Sequence, residues 1–283
     1  MRSEARAALG AVGLAISRLG RLVQSGPAVR ILYYHSISDD PVRSSVSPAA
    51  FEGQMAHVRN QGYRVLHLSD VVRRLAAGAP LPDRALAVTL DDGFRDNYDA
   101  ALPVLVRFEI PATVFLTAGY IGTDRLPTLT RTDFVPRPLD WRQVAEMQSR
   151  GVEFGSHTLT HPMLSTIPAA DVRREVGDSK RLIEDKLGVA APLFCYPRGD
   201  FDDTVKSIVR EQGYEAACSI LPGVNGPRTD LFALRRTYVS RRDTPREFAR
   251  KLDGAYDLLQ QGAGWARSVK AAFQRRPASA RPR

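Results

Sequence analysis

The sequence predicts an α/β fold organised around a parallel sheet or barrel, as a single domain over residues 30–260. Three observations carry this. Short apolar runs alternate with amphipathic stretches at the spacing of a βα-repeat. Glycines close the amphipathic stretches, at Gly62, Gly151, Gly188 and Gly213, as helix ends require. The residues able to do chemistry follow directly on apolar runs, and in such folds the chemistry sits at the carboxyl ends of the strands.

Residues 30–35 (RILYYH) are apolar and aromatic without a helical period and read as a buried strand. A polar loop rich in Ser and Pro follows, then a helix from Phe51 to Gln61 and a second strand from Tyr63 to Leu66. Ser69 is placed to cap a helix running to Ala77. Ala85–Leu90 is the clearest strand and leads straight into Asp91-Asp92-Gly93. Asn97–Phe108 reads as a helix despite Pro103, and Ala112–Leu116 as a strand. Residues 122–139 are irregular and polar, the expected substrate-side insertion. Asp140 and Gln143 stand at capping-box spacing ahead of a helix to Arg150. Val152–Phe154 is a strand ending at Gly155-Ser156-His157. A helix from Ala169 to Leu187, strand 192–196, helix 203–212, strand 216–220, strand 231–239 and helix 245–260 complete the pattern.

The net charge of +9 is carried by the two ends. Residues 1–30 contribute +4 and residues 261–283 contribute +6, which leaves −1 for residues 31–260. A nucleic-acid role for the domain thereby loses its support. No run approaches the ~20 apolar residues that span a bilayer. In segment 1–29, Leu9, Val12, Ile16, Leu19 and Val23 fall at helical spacing, with arginines on the remaining face. This describes an amphipathic helix that either makes a peripheral contact with an anionic membrane or packs on the domain. The segment carries no clean export signal. The tail 261–283, rich in Arg, Ala and Pro, is expected to be disordered. Cys195 and Cys218 each lie in an apolar run and read as buried thiols, not as a disulfide framework.

Asp91 and Asp92, adjacent at a strand end, point to different sides because successive strand side chains alternate. One can ligate a metal while the other faces substrate, and Gly93 lets the backbone turn beside them. His157 and His161 share one face if residues 157–161 form a helical turn, so both imidazoles can reach one ion. With a carboxylate they make an open three-ligand site for one divalent ion, zinc first, with cobalt and nickel suited to the same donors. Such an ion acidifies water, and the second carboxylate can take the proton. A two-carboxylate glycosidase is the weakest rival. It needs carboxyls ~5 to 9.5 Å apart across a bond, which adjacent Asp91 and Asp92 do not offer. His35 ends the first strand and can face the same rim, while His57 and His67 read as surface residues.

The ordered set TLDDG, SHTLTH and YPRG resembles the polysaccharide deacetylases of carbohydrate esterase family 4, the nodulation-type chitooligosaccharide deacetylase homology domain. YYHSIS, FEGQMAHVRNQGY and ATVFL are similar to the branch that includes poly-β-1,6-N-acetylglucosamine deacetylases. The resemblance covers roughly residues 30–250. It implies a distorted (β/α) barrel that removes acetyl groups from an N-acetylated saccharide, in the cell envelope or outside. It further implies Asp91 as catalytic base, Asp92, His157 and His161 as metal ligands, and a backbone N–H near Arg198 as oxyanion donor. Tyr196, Pro197, Arg198 and Arg236 join these on the substrate side. Asp140 reads as a helix cap and Trp141 as packing at the groove edge.

Two departures from the family pattern matter. Cys195 occupies the position where the third motif often has an arginine that orients the base, so Arg198, Arg235 or Arg236 is the expected substitute, or the base is tuned otherwise. No histidine follows His161. The family's late general acid is therefore missing, and His35 becomes the candidate. A saccharide-binding domain without turnover draws on these departures, and an O-deacetylase is the variant that the same chemistry permits.

Overall fold

The computed structural model describes residues 28–40, 44–124, 137–255 and 257. The amphipathic segment (1–27), residues 125–136 of the polar insertion and the basic tail (261–283) lie outside the described residues, and so do the readings placed on them. Eight parallel strands form one sheet: β1 (Arg30–Tyr34), β2 (Arg64–Val65), β3 (Ala85–Leu90), β4 (Ala112–Leu116), β5 (Glu153–Ser156), β6 (Leu193–Cys195), β7 (Ala216–Cys218) and β8 (Thr237–Tyr238). Their order is β7-β6-β5-β4-β3-β1-β8, with the short β2 paired to the start of β3. The sheet curls until Leu234, just ahead of β8, bridges Cys218 on β7. Ser219 N–H donates to the Leu234 carbonyl and Leu234 N–H to that of Ala217, both at 2.9 Å. A parallel sheet curled on itself and laced shut by one bridge is a distorted (β/α) barrel.

Seven α-helices accompany the strands among the described residues: α1 (Pro48–Asn60), α2 (Leu68–Ala76), α3 (Leu102–Arg107), α4 (Trp141–Ser149), α5 (Ala169–Leu187), α6 (Asp203–Glu211) and α7 (Pro245–Leu252). The period-two alternation of strands sorts their residues into two layers. Ile31, Ala87, Phe115, Leu193, Cys195, Ala216 and Cys218 turn to the inside, where Leu68, Val71, Val72 and Leu75 of α2 join the same cluster. Leu32, Tyr34, Leu86, Val88, Leu90, Val114, Leu116 and Phe154 face outward into a second cluster with α1, α3, α4 and α7. Phe194, Tyr196 and Ala217 pack against α5 and α6.

Local signals held where side chains could satisfy helix ends. Asp140 and Gln143 form the capping box of α4. Gly188, at φ +67°, ends α5 in the left-handed conformation. Elsewhere tertiary demands prevailed. Ser69 does not cap α2. His67 stands at that position, while the Ser69 amide and hydroxyl both donate to Glu153. The expected helix 97–108 divides into a π-turn at Asn97–Ala101 and the short α3, with Pro103 near its start. The strands expected over 63–66 and 231–239 shrink to two residues each, the latter behind a 3₁₀ turn at Leu231–Ala233. Of the helix expected over 245–260, the described residues form α7 as far as Leu252.

Candidate active site

The alternation that fills the barrel also aims its upper rim. Asp91 continues the inward phase of Ala87 and Thr89 on β3, and His157 that of Gly155 on β5, so both finish inside at the carboxyl end. Asp91 is 2% exposed. Its two oxygens accept a planar fork from Arg236, Nη1 to Oδ1 and Nη2 to Oδ2, each at 2.7 Å. The remaining N–H groups of that guanidinium reach the Ser219 carbonyl (2.8 Å), Thr89 Oγ1 (3.1 Å) and Cys195 Sγ (3.0 Å). All five donors are thus used inside the protein, with the Tyr33 ring stacked 4.3 Å from the guanidinium carbon. Burial alone would push the Asp91 carboxyl up. The charge and fork of Arg236 outweigh it and hold the group at about 2.

Arg236 therefore takes the place of the missing motif arginine. It arrives from the segment that closes the barrel and sits against the Cys195 thiol. Its placement among substrate-side residues is corrected: it is fully buried behind the base and has no donor left for a ligand. Arg235 turns the other way, onto the Pro222 carbonyl at 3.1 Å.

Asp92 adopts φ +76° and Gly93 φ +74°, which sends the Asp92 carboxylate away from Asp91. A side chain at Gly93 would meet Leu116 Cδ2 at 2.8 Å, so the turn requires glycine there. His157 Nε2 and His161 Nε2 both stand 3.5 Å from Asp92 Oδ1. His157 Nδ1 lies 2.7 Å from the Cys195 carbonyl, which fixes the proton on Nδ1 and leaves the Nε2 lone pair facing Asp92. Both Asp92 oxygens are buried without a hydrogen-bond partner. Burial, joined by the Asp91 charge, pushes the Asp92 carboxyl well up. Burial also holds His157 down at about 4 and His161 at about 2, so two neutral imidazoles confront an unsatisfied carboxyl. Such a donor set fits a divalent cation. The histidines converge without the expected helical turn: residues 157–161 are a loop with left-handed Thr158 (φ +69°) and His161 (φ +63°).

His35 follows β1 in the inward phase, half-buried, with Tyr33 and Tyr238 edge-on at 5.8 and 6.1 Å and a buried, unpartnered Nδ1. Burial lowers its pKa, and the Asp91 charge opposes that shift, which brings the two groups within electrostatic reach. Arg198 is exposed at φ +56° in the turn after β6, near enough for its charge to act on Asp92 and His161. Pro197 is buried beneath it. Tyr196 is corrected from substrate contact to packing: its hydroxyl donates to the Phe232 carbonyl at 3.0 Å and its ring stacks on Phe201 at 4.6 Å. Trp141 packs half-buried on the outer cluster beside Gly122, close to the Asp92 turn. Four contributors, Ser36, Asp96, Asn97 and Glu175, gave no sequence signal. Ser36 donates to Asp96, and Asn97 to the His35 carbonyl, which ties the loops after β1 and β3 together. Glu175 of α5 holds the histidine loop.

Residues 78–217 match the family model of polysaccharide deacetylases. YxkH of Bacillus subtilis (strain 168), provisionally named a polysaccharide deacetylase, is 28% identical over 211 residues, which cover 74% of this chain and 71% of that protein. The poly-beta-1,6-N-acetyl-D-glucosamine N-deacetylase of Escherichia coli (strain K12) is 23% identical over 256 residues, but this chain spans only 38% of its length. Streptococcus pyogenes deacetylase PplD, solved in complex with acetate, shares the fold with a TM-score of 0.71 at 24% identity, over 81% of this chain and 99% of that one. With a matching family model, a shared barrel and DDG and HTLTH turns meeting at its rim, the chain carries a polysaccharide deacetylase domain and belongs to that family of carbon–nitrogen hydrolases.

Proposed function

We propose that the protein removes acetyl groups from an N-acetylated saccharide of the N-acetylglucosamine type, releasing acetate, with one divalent metal ion, zinc first. The observation that carries the reading is the division of labour between neighbours. Asp91 is fully neutralised by Arg236, whereas Asp92 is left bare against two imidazole nitrogens. Asp92, His157 and His161 would hold the cation. When bound it supplies Lewis acidity, polarising the acetamide carbonyl and acidifying water, which a base as weak as Asp91 requires.

Asp91, ionised at every physiological pH, accepts the proton of the attacking water. Arg236 keeps its carboxylate aimed. His35 is the proton carrier for the departing amine. The amides of Gly199 and Asp200 are spent inside their own turn, on the Tyr196 and Pro197 carbonyls at 2.9 and 3.0 Å. The Arg198 amide is the donor offered to the oxyanion. The Arg198 side chain and Trp141 form the rim against the saccharide. The E. coli relative's name supports an N-acetylglucosamine polymer, and a polymer substrate supports action at the envelope or outside. Among the described residues no helix is long and apolar enough to cross a membrane. Arg236 removes one of the two supports of a binding domain without turnover.

Acetate release from N-acetylglucosamine oligomers, measured before and after chelation and after zinc or cobalt is restored, tests the reading. Release should stop with chelator and return with metal. No release from a protein that binds both metal and oligomer would reverse it in favour of binding alone.

A further inference from the structure

We propose that Glu175 is a positioning residue that locks the His157–His161 loop in its ligating shape and so sets the affinity of the site for metal. The proposal rests on the metal reading above. The loop holds two left-handed residues, Thr158 and His161, and for the β-branched Thr158 this conformation is strained. One bond within the five residues, from the His161 amide to Thr158 Oγ1, and several from outside them impose this course.

Those bonds account for every amide in the loop. His157 N–H donates to the Leu116 carbonyl at 2.8 Å and Thr158 N–H to Ser156 Oγ at 3.2 Å. His161 N–H donates to Thr158 Oγ1 at 2.9 Å. The two amides between, those of Leu159 and Thr160, both converge on Glu175 Oε2 at 2.9 and 2.8 Å. Thr160 Oγ1 adds a third bond to Oε1 at 2.5 Å. Successive amides that follow a left-handed residue form a concave nest for an anion, and here the anion is built into the protein. On the other side the loop lies flush on Gly119, where a side chain would meet the Leu159 carbonyl oxygen at 2.6 Å.

The wiring of the two ligands differs. His157 is fixed by Leu116 and Cys195 whatever α5 does. His161 ends a turn whose amides Glu175 holds, while its carbonyls take bonds from the Ala118 and Gly119 amides and the Tyr120 hydroxyl on the other side. Without the charge and second oxygen of the carboxylate, the bonds from the Leu159 and Thr160 amides weaken, the Thr160 hydroxyl loses its acceptor, the turn relaxes, and His161 is the ligand that drifts from Asp92. Partners that orient metal ligands commonly change affinity by about tenfold to a hundredfold when removed.

The test is cobalt titration of the metal-free full-length protein, followed by its visible absorption and by chelator competition. Glu175→Gln should weaken cobalt binding about tenfold to a hundredfold. Asp178→Asn, at the surface of the same helix, should leave it unchanged. Glu175→Gln should also lose acetate release at limiting cobalt and regain it in excess. A lower melting temperature of the metal-free variant with an unchanged dissociation constant would mean that Glu175 serves folding alone, and would overturn the proposal. Should Glu175→Gln not fold, Thr160→Val deletes one of the three bonds and should weaken binding a few-fold; unchanged binding there overturns it equally. If the wild-type protein takes up no cobalt, the metal reading fails and this one with it. Uptake by the wild type with equal uptake by Glu175→Gln removes only the clamp.

Discussion

Arg236 and Asp91 lie 145 residues apart in the chain and meet as a buried, fully bonded pair. Arg236→Lys keeps a positive charge but cannot reproduce the planar fork or the bonds to Ser219, Thr89 and Cys195. Asp91 then rises from its depressed value, so the acidic limb of kcat/KM should move to higher pH, together with a loss of about 1.5–3 kcal/mol for each charge-assisted bond broken. A pH–rate profile and a thermal melt check both, and a limb that stays in place would remove Arg236 as the group that tunes the base. The sign follows from linkage. A carboxyl depressed in the folded state adds stability above its unfolded value near 4, and that contribution fades as pH falls towards about 2. That Asp92, His157 and His161 come together was legible in the sequence because each follows a strand of one parallel sheet, whose carboxyl ends share a rim. Which of three arginines serves Asp91 was not, because the answer depends on how the barrel closes. Glu175 was illegible too, being one acid among several on a charged helix.

Among elements, β5 shows how strand sequence and site geometry constrain one another. Gly155 stands in the inward phase between Glu153 and His157. A β-carbon there would lie 2.7 Å from both the Leu193 carbonyl oxygen and the Phe115 ring. Gly155→Ala should therefore destabilise the fold by about 1–3 kcal/mol, as overpacking does, and denaturant unfolding will show it. A midpoint equal to wild type would mean that β6 and Phe115 yield without cost. The alternation of strands and helices was legible, since apolar period and helix caps are local. Strand lengths were not: β2 pairs only with Ala85 and Leu86 before β4 takes that edge of β3 at Val88, and β8 pairs only with Leu32 and Tyr33. The i, i+4 spacing of His157 and His161 left open whether residues 157–161 form a helical turn or the loop that is found, because it looks the same in both. Only the clamp from α5 and the bed on Gly119 make the difference. Of the six non-glycine residues at positive φ among the described residues, four (Asp92, Thr158, His161 and Arg198) belong to the rim. Strain is concentrated where ligands are held.

For the whole molecule, the barrel closes around a buried Asp92 carboxylate that has no hydrogen-bond partner beside two imidazoles, a set that fits a cation. Metal that binds only the folded state should stabilise it by about 2.7 kcal/mol at a hundredfold excess over Kd. At about 2–4 °C per kcal/mol for a chain of this size, the melting temperature should rise by roughly 5–10 °C with zinc and fall back with chelator. An unchanged melt would count against ligation by Asp92, His157 and His161. The latch between Leu234 and Cys218 also has a temporal meaning. A ribosome delivers the chain from its amino end, so both aspartates and both histidines of the rim emerge well before Arg236. Until the segment ahead of β8 that carries Arg236 docks, Asp91 lacks that counter-charge and the fork that orients it. With Asp91 as the proposed base, hydrolysis waits on the closure of the barrel.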